Sequence, residues 1–362
     1  MISVHTYAAR ILTSPPIAVA LSGGEIVLDA GGAPHVQATV RVVAPSAGVL
    51  ALLDPRSSAR VEVAAQRDGG TVRRFDLGVR SRPRRLANGE VSLSLASDEA
   101  LLGDYRALRD DASPVAYTRL VDVVNYVLAL AIPGARLTGS GLWRAVGDDA
   151  HADALVWRAG VTALDFLSPL VQARGLRLVC DEQRVWTLRG ETYAGHGDGV
   201  VTVGWGVDLI DTEDTIDRGS GEWFDAAVVR YTWTQDGLEQ TATDAHALTH
   251  PPTRVQLIEK ETPFPGAGLA SYAVRRAQHR GRQVRAVKVA DWTATAEETV
   301  ILTVPDEIHV GSADQVRFDL DRDEMTVTAR TVDTPDTAWI LLPSGDAWDD
   351  SPAGESWTDE DA

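Results

Sequence analysis

At 362 residues, with 44% apolar and 24% charged side chains, the chain has ordinary globular composition and a length that predicts two to four domains. A net charge of −18 excludes a general nucleic-acid-binding surface, which needs clustered cations against phosphate. The single cysteine, Cys180, excludes an intrachain disulfide framework and any multi-thiolate metal site.

The most apolar stretch, Val115 to Ile132, is interrupted by Arg119, Asp122 and Asn125, so it falls short of the roughly 18 apolar residues of a membrane span. The opening residues Met1 to Tyr7 show no cationic segment followed by an apolar one, so no secretory signal is read there and assembly in a cytoplasm is expected. Cys180 ends the apolar run that begins at Leu176 and reads as a small buried hydrophobe.

The first hundred residues read as short antiparallel strands. Val36, Ala38, Val40 and Val42 alternate with Gln37, Thr39 and Arg41, the period-2 pattern of a half-buried strand. Val61 and Val63, the turn Asp68-Gly69-Gly70, then Phe75, Leu77 and Val79 predict a hairpin. Asn88-Gly89 opens a further strand carrying Val91, Leu93 and Leu95 on one face. Strands at this spacing suggest a barrel or sandwich.

The pattern changes at Ser113-Pro114. Serine is a good N-cap and proline suits the first helical position, which predicts a helix from Pro114 to about Leu130, ended by Pro133-Gly134. A second helix is expected from Thr162 to Arg174, with Gly175 as C-cap and Pro169 inside it. A strand–turn–strand follows, Leu176 to Cys180 and Val185 to Leu188, so the middle region reads as α+β. Gly195 to Gly199 reads as a loop. Strand character returns at Val228 to Thr234, with Val229, Tyr231 and Trp233 on one face.

A linker containing Pro251, Pro252, Pro263 and Pro265 leads to a helix over 268–280, then to strands near Val284–Val289 and Val300–Val304. Val316, Phe318 and Leu320 against Met325, Val327 and Ala329 predict a closing hairpin. Beyond Pro335 the composition is acidic, with Trp339, Trp348 and Trp357 at nine-residue spacing, and an extended segment is expected.

Candidate chemistry is sparse. Asp319, Asp321 and Asp323 alternate as in a calcium loop, but Glu324 and Arg330 stand where that loop needs glycine and a bidentate glutamate. His246 and His250 are four apart, yet Ala247 replaces the glutamate of a zinc protease and Pro251-Pro252 argues for a loop. Gly139-Ser140-Gly141 and Gly219-Ser220-Gly221 lack nucleophile-elbow spacing. No catalytic, cofactor or metal residue is therefore expected, and the chain is not read as an enzyme. Arg73, Arg74, Arg80, Arg82, Arg84 and Arg85 form a basic stretch with two readings, a solvated face or a subunit contact whose partner is a neighbour's carboxylates.

In order and spacing, the segments Leu53–Arg56, Arg74–Arg80, Ser94–Leu102, Thr162–Leu167 and Gly175–Asp181, the hairpin Val316–Arg330 and the three spaced tryptophans resemble minor tail proteins of the hub type from siphophages of actinobacterial hosts. The resemblance implies an α+β, mostly β fold: two tail-tube-like antiparallel β-barrels with an inserted α+β domain and an extended acidic segment. Its expected divisions are 1–108 for the first barrel, which strands near 200–240 could complete, 109–199 for the insert, 241–335 for the second barrel and 336–362 for a docking segment. It also implies a homotrimeric structural virion protein at the tail tip, assembled in the host bacterial cytoplasm, with no cofactor.

Such a hub adapts the sixfold distal tail ring to threefold tip proteins. Implied partners are that ring, the tape measure protein's C-terminus and the downstream receptor-binding minor tail proteins. Viral DNA would pass an acidic lumen without specific binding. Trp339, Trp348 and Trp357, with Arg80, Arg82, Arg84 and Arg85, are the expected partner-docking residues, since tryptophan and arginine favour interface hot spots. Two rival classes stand: a carbohydrate-binding adhesion module using stacked tryptophans, and a cell-wall hydrolase.

Overall fold

The computed structural model describes residues 3–43, 45–138, 145–146, 149–190, 200–216, 223–277, 282–305 and 307–332. Most of its elements are antiparallel strands. In the first hundred residues these are β1 (His5–Ile11), β2 (Ile17–Val19), β3 (Leu21–Asp29), β4 (Val36–Val42), β5 (Arg60–Arg67), β6 (Arg73–Ser81) and β7 (Val91–Ala96), with the short helix α1 (Ala47–Leu52) between β4 and β5. The expected alternation holds in detail: Val36, Ala38, Val40 and Val42 are buried, and so are Phe75, Leu77 and Val79. Gly24 is required where β3 kinks, because a Cβ there would meet the Thr39 carbonyl oxygen at 2.3 Å.

The middle region comprises α2 (Glu99–Asp104), α3 (Leu120–Ala131), α4 (Ala163–Gln172), β8 (Leu176–Cys180) and β9 (Trp186–Gly190). The helix expected from Pro114 starts later. Ser113–Ala116 form one 3-10 turn, the chain then extends through Tyr117, and α3 begins at Leu120. The reason is tertiary: the Thr118 carbonyl accepts Val146 N–H and Arg119 bridges to Ala145, which commits those residues to extended backbone. The α4 expectation holds, with the Thr162 hydroxyl capping Asp165 N–H, Pro169 inside the helix and Gly175 in the left-handed region. Helices α2 to α4 and the β8–β9 hairpin share an apolar cluster around Trp157, Phe166, Leu128 and Trp186.

The later strands are β10 (Val200–Gly204), β11 (Leu209–Ile216), β12 (Ala226–Gln235), β13 (Leu238–Ala247) and β14 (Val255–Lys260). After α5 (Leu269–Ala277) come β15 (Arg282–Val289), β16 (Thr299–Val304), β17 (Glu307–Asp319) and β18 (Glu324–Val332). The proline-containing stretch read as a linker therefore holds β14, which pairs in parallel with β12. Strands β13, β12 and β14 form a sheet of their own, with Ala227, Val229 and Tyr231 packed on Leu269, Ala270 and Val274 of α5. The Asp244 carboxylate on β13 accepts the N–H groups of Gly268 and Ala270 and so caps α5 from a neighbouring strand.

Thirteen strands join in one sheet in the order β11-β15-β18-β17-β3-β4-β7-β6-β5-β1-β2, with β16 and then β10 branching from β17. The strands near 200–216 attach to β15 and β16, not to β1–β7. The two halves meet on a five-rung antiparallel ladder from Gln315↔Asp29 to Asp319↔Glu25. A single apolar core runs under both. Trp292, in the β15–β16 connection, marks the seam: its ring stacks on Phe318 at 4.4 Å and meets Tyr7 and Phe75 edge-on at 5.7 and 6.4 Å.

Candidate assembly surface

The β8–β9 hairpin is held to the large sheet by buried carboxylates. Glu99, 1% exposed, accepts the His35 N–H at 2.5 Å, the Ser97 hydroxyl at 2.7 Å and the Cys180 N–H at 2.9 Å. Burial holds the Glu99 carboxyl above the usual carboxylate range, against those donors. Burial, with Arg189 and Arg177 nearby, lowers the His35 imidazole to about 3, so it is neutral and its Nδ1 hydrogen-bonds the Asp29 carbonyl. Beside it, Asp98 takes Arg60 at 2.5 Å and Arg184 at 2.8 Å. Glu297 takes Arg177 and Arg189, and Arg73 pairs with Glu182 at 2.8 Å. The hairpin is thereby clamped to the sheet at four carboxylates.

A cleft of about 630 Å³ opens beside this seam, lined by Arg73, Arg74, Arg189, Asp181, Glu182 and Thr293, among others. Its cations are already neutralised: Arg73 by Glu182, Arg74 by Glu62 and Arg189 by Glu297. The cleft is charge-compensated and offers no free cation for an anionic ligand.

The basic stretch divides in the same way. Arg80 is bidentate to Asp104 at 2.6 and 2.7 Å, and with Arg73 and Arg74 it is an internal fastener. Arg82 is half-buried, its Nε enclosed and making no hydrogen bond among the described residues. Hydrogen bonds from the Arg56 side chain and backbone hold the Asp54 carboxyl down at about 2, and the Arg82 charge adds to them. Arg84 and Arg85 are exposed and have no carboxylate partner among the described residues. They sit with Leu86, 85% exposed, on the β6–β7 connection. Trp339, Trp348 and Trp357 lie outside the described residues.

Two apolar surfaces were not anticipated. Trp205 and Val207, in the β10–β11 turn, are 62% and 85% exposed. On β14, Val255 and Leu257 project from the face of the three-stranded sheet opposite α5. The signal available in sequence was Trp205-Gly206-Val207, an apolar pair around a turn glycine.

The weaker chemical candidates are engaged elsewhere. Asp321 pairs with Arg41, and Asp323 accepts the Tyr7 hydroxyl at 2.5 Å. His246 stands on strand β13 and His250 in the loop that follows. Burial pushes the Cys180 thiol up, which keeps it protonated. Among the described residues no His, Cys, Asp and Glu cluster has the arrangement to hold a metal ion.

No family model matches the chain, and no curated protein matches it in sequence. Solved structures do match over nearly its whole length. The tail protein from Neisseria meningitidis MC58 superposes with a TM-score of 0.58 at 14% identity, over 90% of this chain and 97% of that one. The 43 kDa tail protein of prophage MuSo2 from Shewanella oneidensis gives 0.59 at 12% identity, over 90% and 98%. Prophage tail protein gp18 from Listeria monocytogenes EGD-e gives 0.51 at 8%, over 89% and 94%. With its joined β-sheet, its α+β middle region and its separate three-stranded sheet, the chain has the fold of phage tail proteins.

Proposed function

We propose that the chain is a structural, non-enzymatic subunit of a phage tail tip, and specifically the homotrimeric hub of a long non-contractile tail. In this reading each copy supplies two tube-like units, the expected 1–108 built on β1–β7, and the expected 241–335 built on β15–β18 with β10 and β11 joined to it in place of β13 and β14. The insert 109–199 sits outside the ring, and Trp348 and Trp357 of the segment 336–362 dock on neighbours. Three copies then present six units to the sixfold distal tail ring and a threefold face to the tip proteins beyond. The tape measure protein's C-terminus would end in the lumen, and DNA would leave through it past an acidic wall without sticking.

The observation that best supports the reading is the β3–β17 ladder, which joins two antiparallel half-sheets over a common core. A subunit that must offer two equivalent faces to a sixfold ring needs its two units fixed relative to each other. The tryptophans favour this reading over carbohydrate adhesion. Trp157, Trp186 and Trp292 are buried in cores, Trp223 and Trp233 are half-buried, and Trp205 alone of the six described is mostly exposed. A stacking platform for sugars needs several exposed rings.

Light scattering on the purified chain, alone and mixed with the distal tail protein of the same phage, tests the proposal. A trimer, or a monomer that trimerises on the ring, supports the hub. A stable monomer that binds cell-wall glycan and ignores the ring overturns it in favour of an adhesion module.

A further inference from the structure

We infer that the apolar run Ala338-Trp339-Ile340-Leu341-Leu342 of this chain covers the exposed surface formed by Trp205, Val207 and Ile308 of the same copy. This inference is independent of the oligomeric reading above. The three residues stand near one end of neighbouring strands. Trp205 N–H donates to the Thr303 carbonyl at 2.9 Å, and Thr303 stands opposite Ile308 on the β16–β17 ladder. Trp205, Val207 and Ile308 are 62%, 85% and 43% exposed. Large apolar groups left together in water mark a surface that something covers.

The position of Val332 indicates what covers it. The β17–β18 ladder has its last rung at Val310↔Val332, while β17 itself extends further to Glu307. Ile308 is therefore two residues past the rung from which the following segment departs. With strands about 4.8 Å apart and about 3.3 Å per residue along them, the patch lies within roughly 20 Å of Val332. Trp339 is seven residues beyond Val332, and at about 3.5 Å per extended residue it reaches roughly 24 Å. The reach suffices.

The sequence of the segment fits this surface at one place. Within 333–362, residues 338–342 are the only uninterrupted apolar run longer than two residues, and Pro335 and Pro343 bracket it. Trp348 and Trp357 each stand among acids instead, Asp346, Asp349 and Asp350 around the first and Glu355 and Asp359 around the second. Trp339 with its apolar neighbours therefore docks in cis, and Trp348 and Trp357 remain for partners of the assembly.

Hydroxyl-radical footprinting read by mass spectrometry tests this on the full chain. The comparison is with a variant carrying Trp339→Ser, Ile340→Ser and Leu341→Ser. The expected result is a several-fold rise in Trp205 oxidation in the variant, at every protein concentration, with the core Trp292 unchanged as the control for folding. Equal Trp205 reactivity in both proteins overturns the inference. Protection of Trp205 that disappears on dilution also overturns it, because the covering run would then belong to another copy.

Discussion

Two seams hold this molecule together, and they are built from opposite chemistry. Between the halves of the large sheet the contact is apolar: Trp292 lies among Tyr7, Phe75 and Phe318, beneath a backbone ladder. Between that sheet and the β8–β9 hairpin the contact is polar, made by Asp98, Glu99 and Glu297 with arginines and backbone donors. Apolar contact is non-directional and independent of pH. Buried carboxylates fix orientation, because each donor must be met in place, but they carry a desolvation cost and a dependence on protonation. The first seam supplies stability, and the second sets where the β8–β9 hairpin points.

Substitution at the apolar seam has the largest expected effect. Trp292→Ala removes a ring that is 4% exposed and leaves a cavity shared by both halves, at a cost of about 4 kcal/mol in chemical denaturation. Because the core is shared, hydrogen exchange should show protection lost in both halves of the large sheet. Loss confined to one half would mean that the apolar seam does not tie the halves together.

Glu99→Ala comes next. It leaves the His35 and Cys180 N–H groups and the Ser97 hydroxyl without their acceptor in a closed interior, at about 3 kcal/mol. Hydrogen exchange should show local opening at Cys180 and at the start of β4. Uniform loss of protection across the large sheet would remove the distinction between the seams.

The pH prediction concerns His35. Its folded pKa is depressed to about 3 from an ordinary 6.5, so below 6.5 the unfolded chain takes a proton that the folded one refuses. Stability is therefore lost as pH falls from 6.5 towards 3. Glu99 works in the opposite sense: its folded pKa is raised, so its contribution is fully present below the ordinary carboxylate value and is lost as pH rises through the folded one. Comparing wild type with His35→Gln isolates the histidine. Between pH 7 and pH 5 the wild type should lose about 2 kcal/mol more than the variant, at about 1.4 kcal/mol per pH unit below 6.5. Parallel losses in the two proteins would show that His35 does not titrate this way.

The two seams also differ in how far they can be read from sequence. The apolar one is legible because its residues alternate with period 2, as Phe75, Leu77 and Val79 do and as Val316 and Phe318 do. Strand β13 was not legible, because Thr241 and Thr243 face outward while Ala242 and Asp244 face inward, which gives no apolar stripe. Strand β14 was hidden between prolines, at Val255–Lys260. Of the candidate surface, the basic stretch could be seen but not sorted. That Arg73 pairs with Glu182, 109 residues away, while Arg84 and Arg85 meet no carboxylate among the described residues is a fact of tertiary structure. Glu99 gave no signal at all, because its partners come from His35 and Cys180, 64 and 81 residues away.

Arg84 and Arg85 provide the smallest effect on folding and the sharpest contrast with the buried arginines. Both are exposed and make no ion pair among the described residues, so Arg84→Glu with Arg85→Glu should change stability by no more than about 0.5 kcal/mol. Arg60 and Arg177 sit against buried carboxylates and permit no such exchange. If the chain assembles as a trimer, the exposed pair beside Leu86 is the place where a planar guanidinium can take a neighbour's carboxylates, and charge reversal there sets like charges face to face. Light scattering on the double variant should then give folded monomers where the wild type, alone or on the distal ring, gives trimers. A variant that still trimerises with unchanged affinity would place Arg84 and Arg85 on a solvated face and move the subunit contact to another surface, with the exposed Val255 and Leu257 of β14 the next to test.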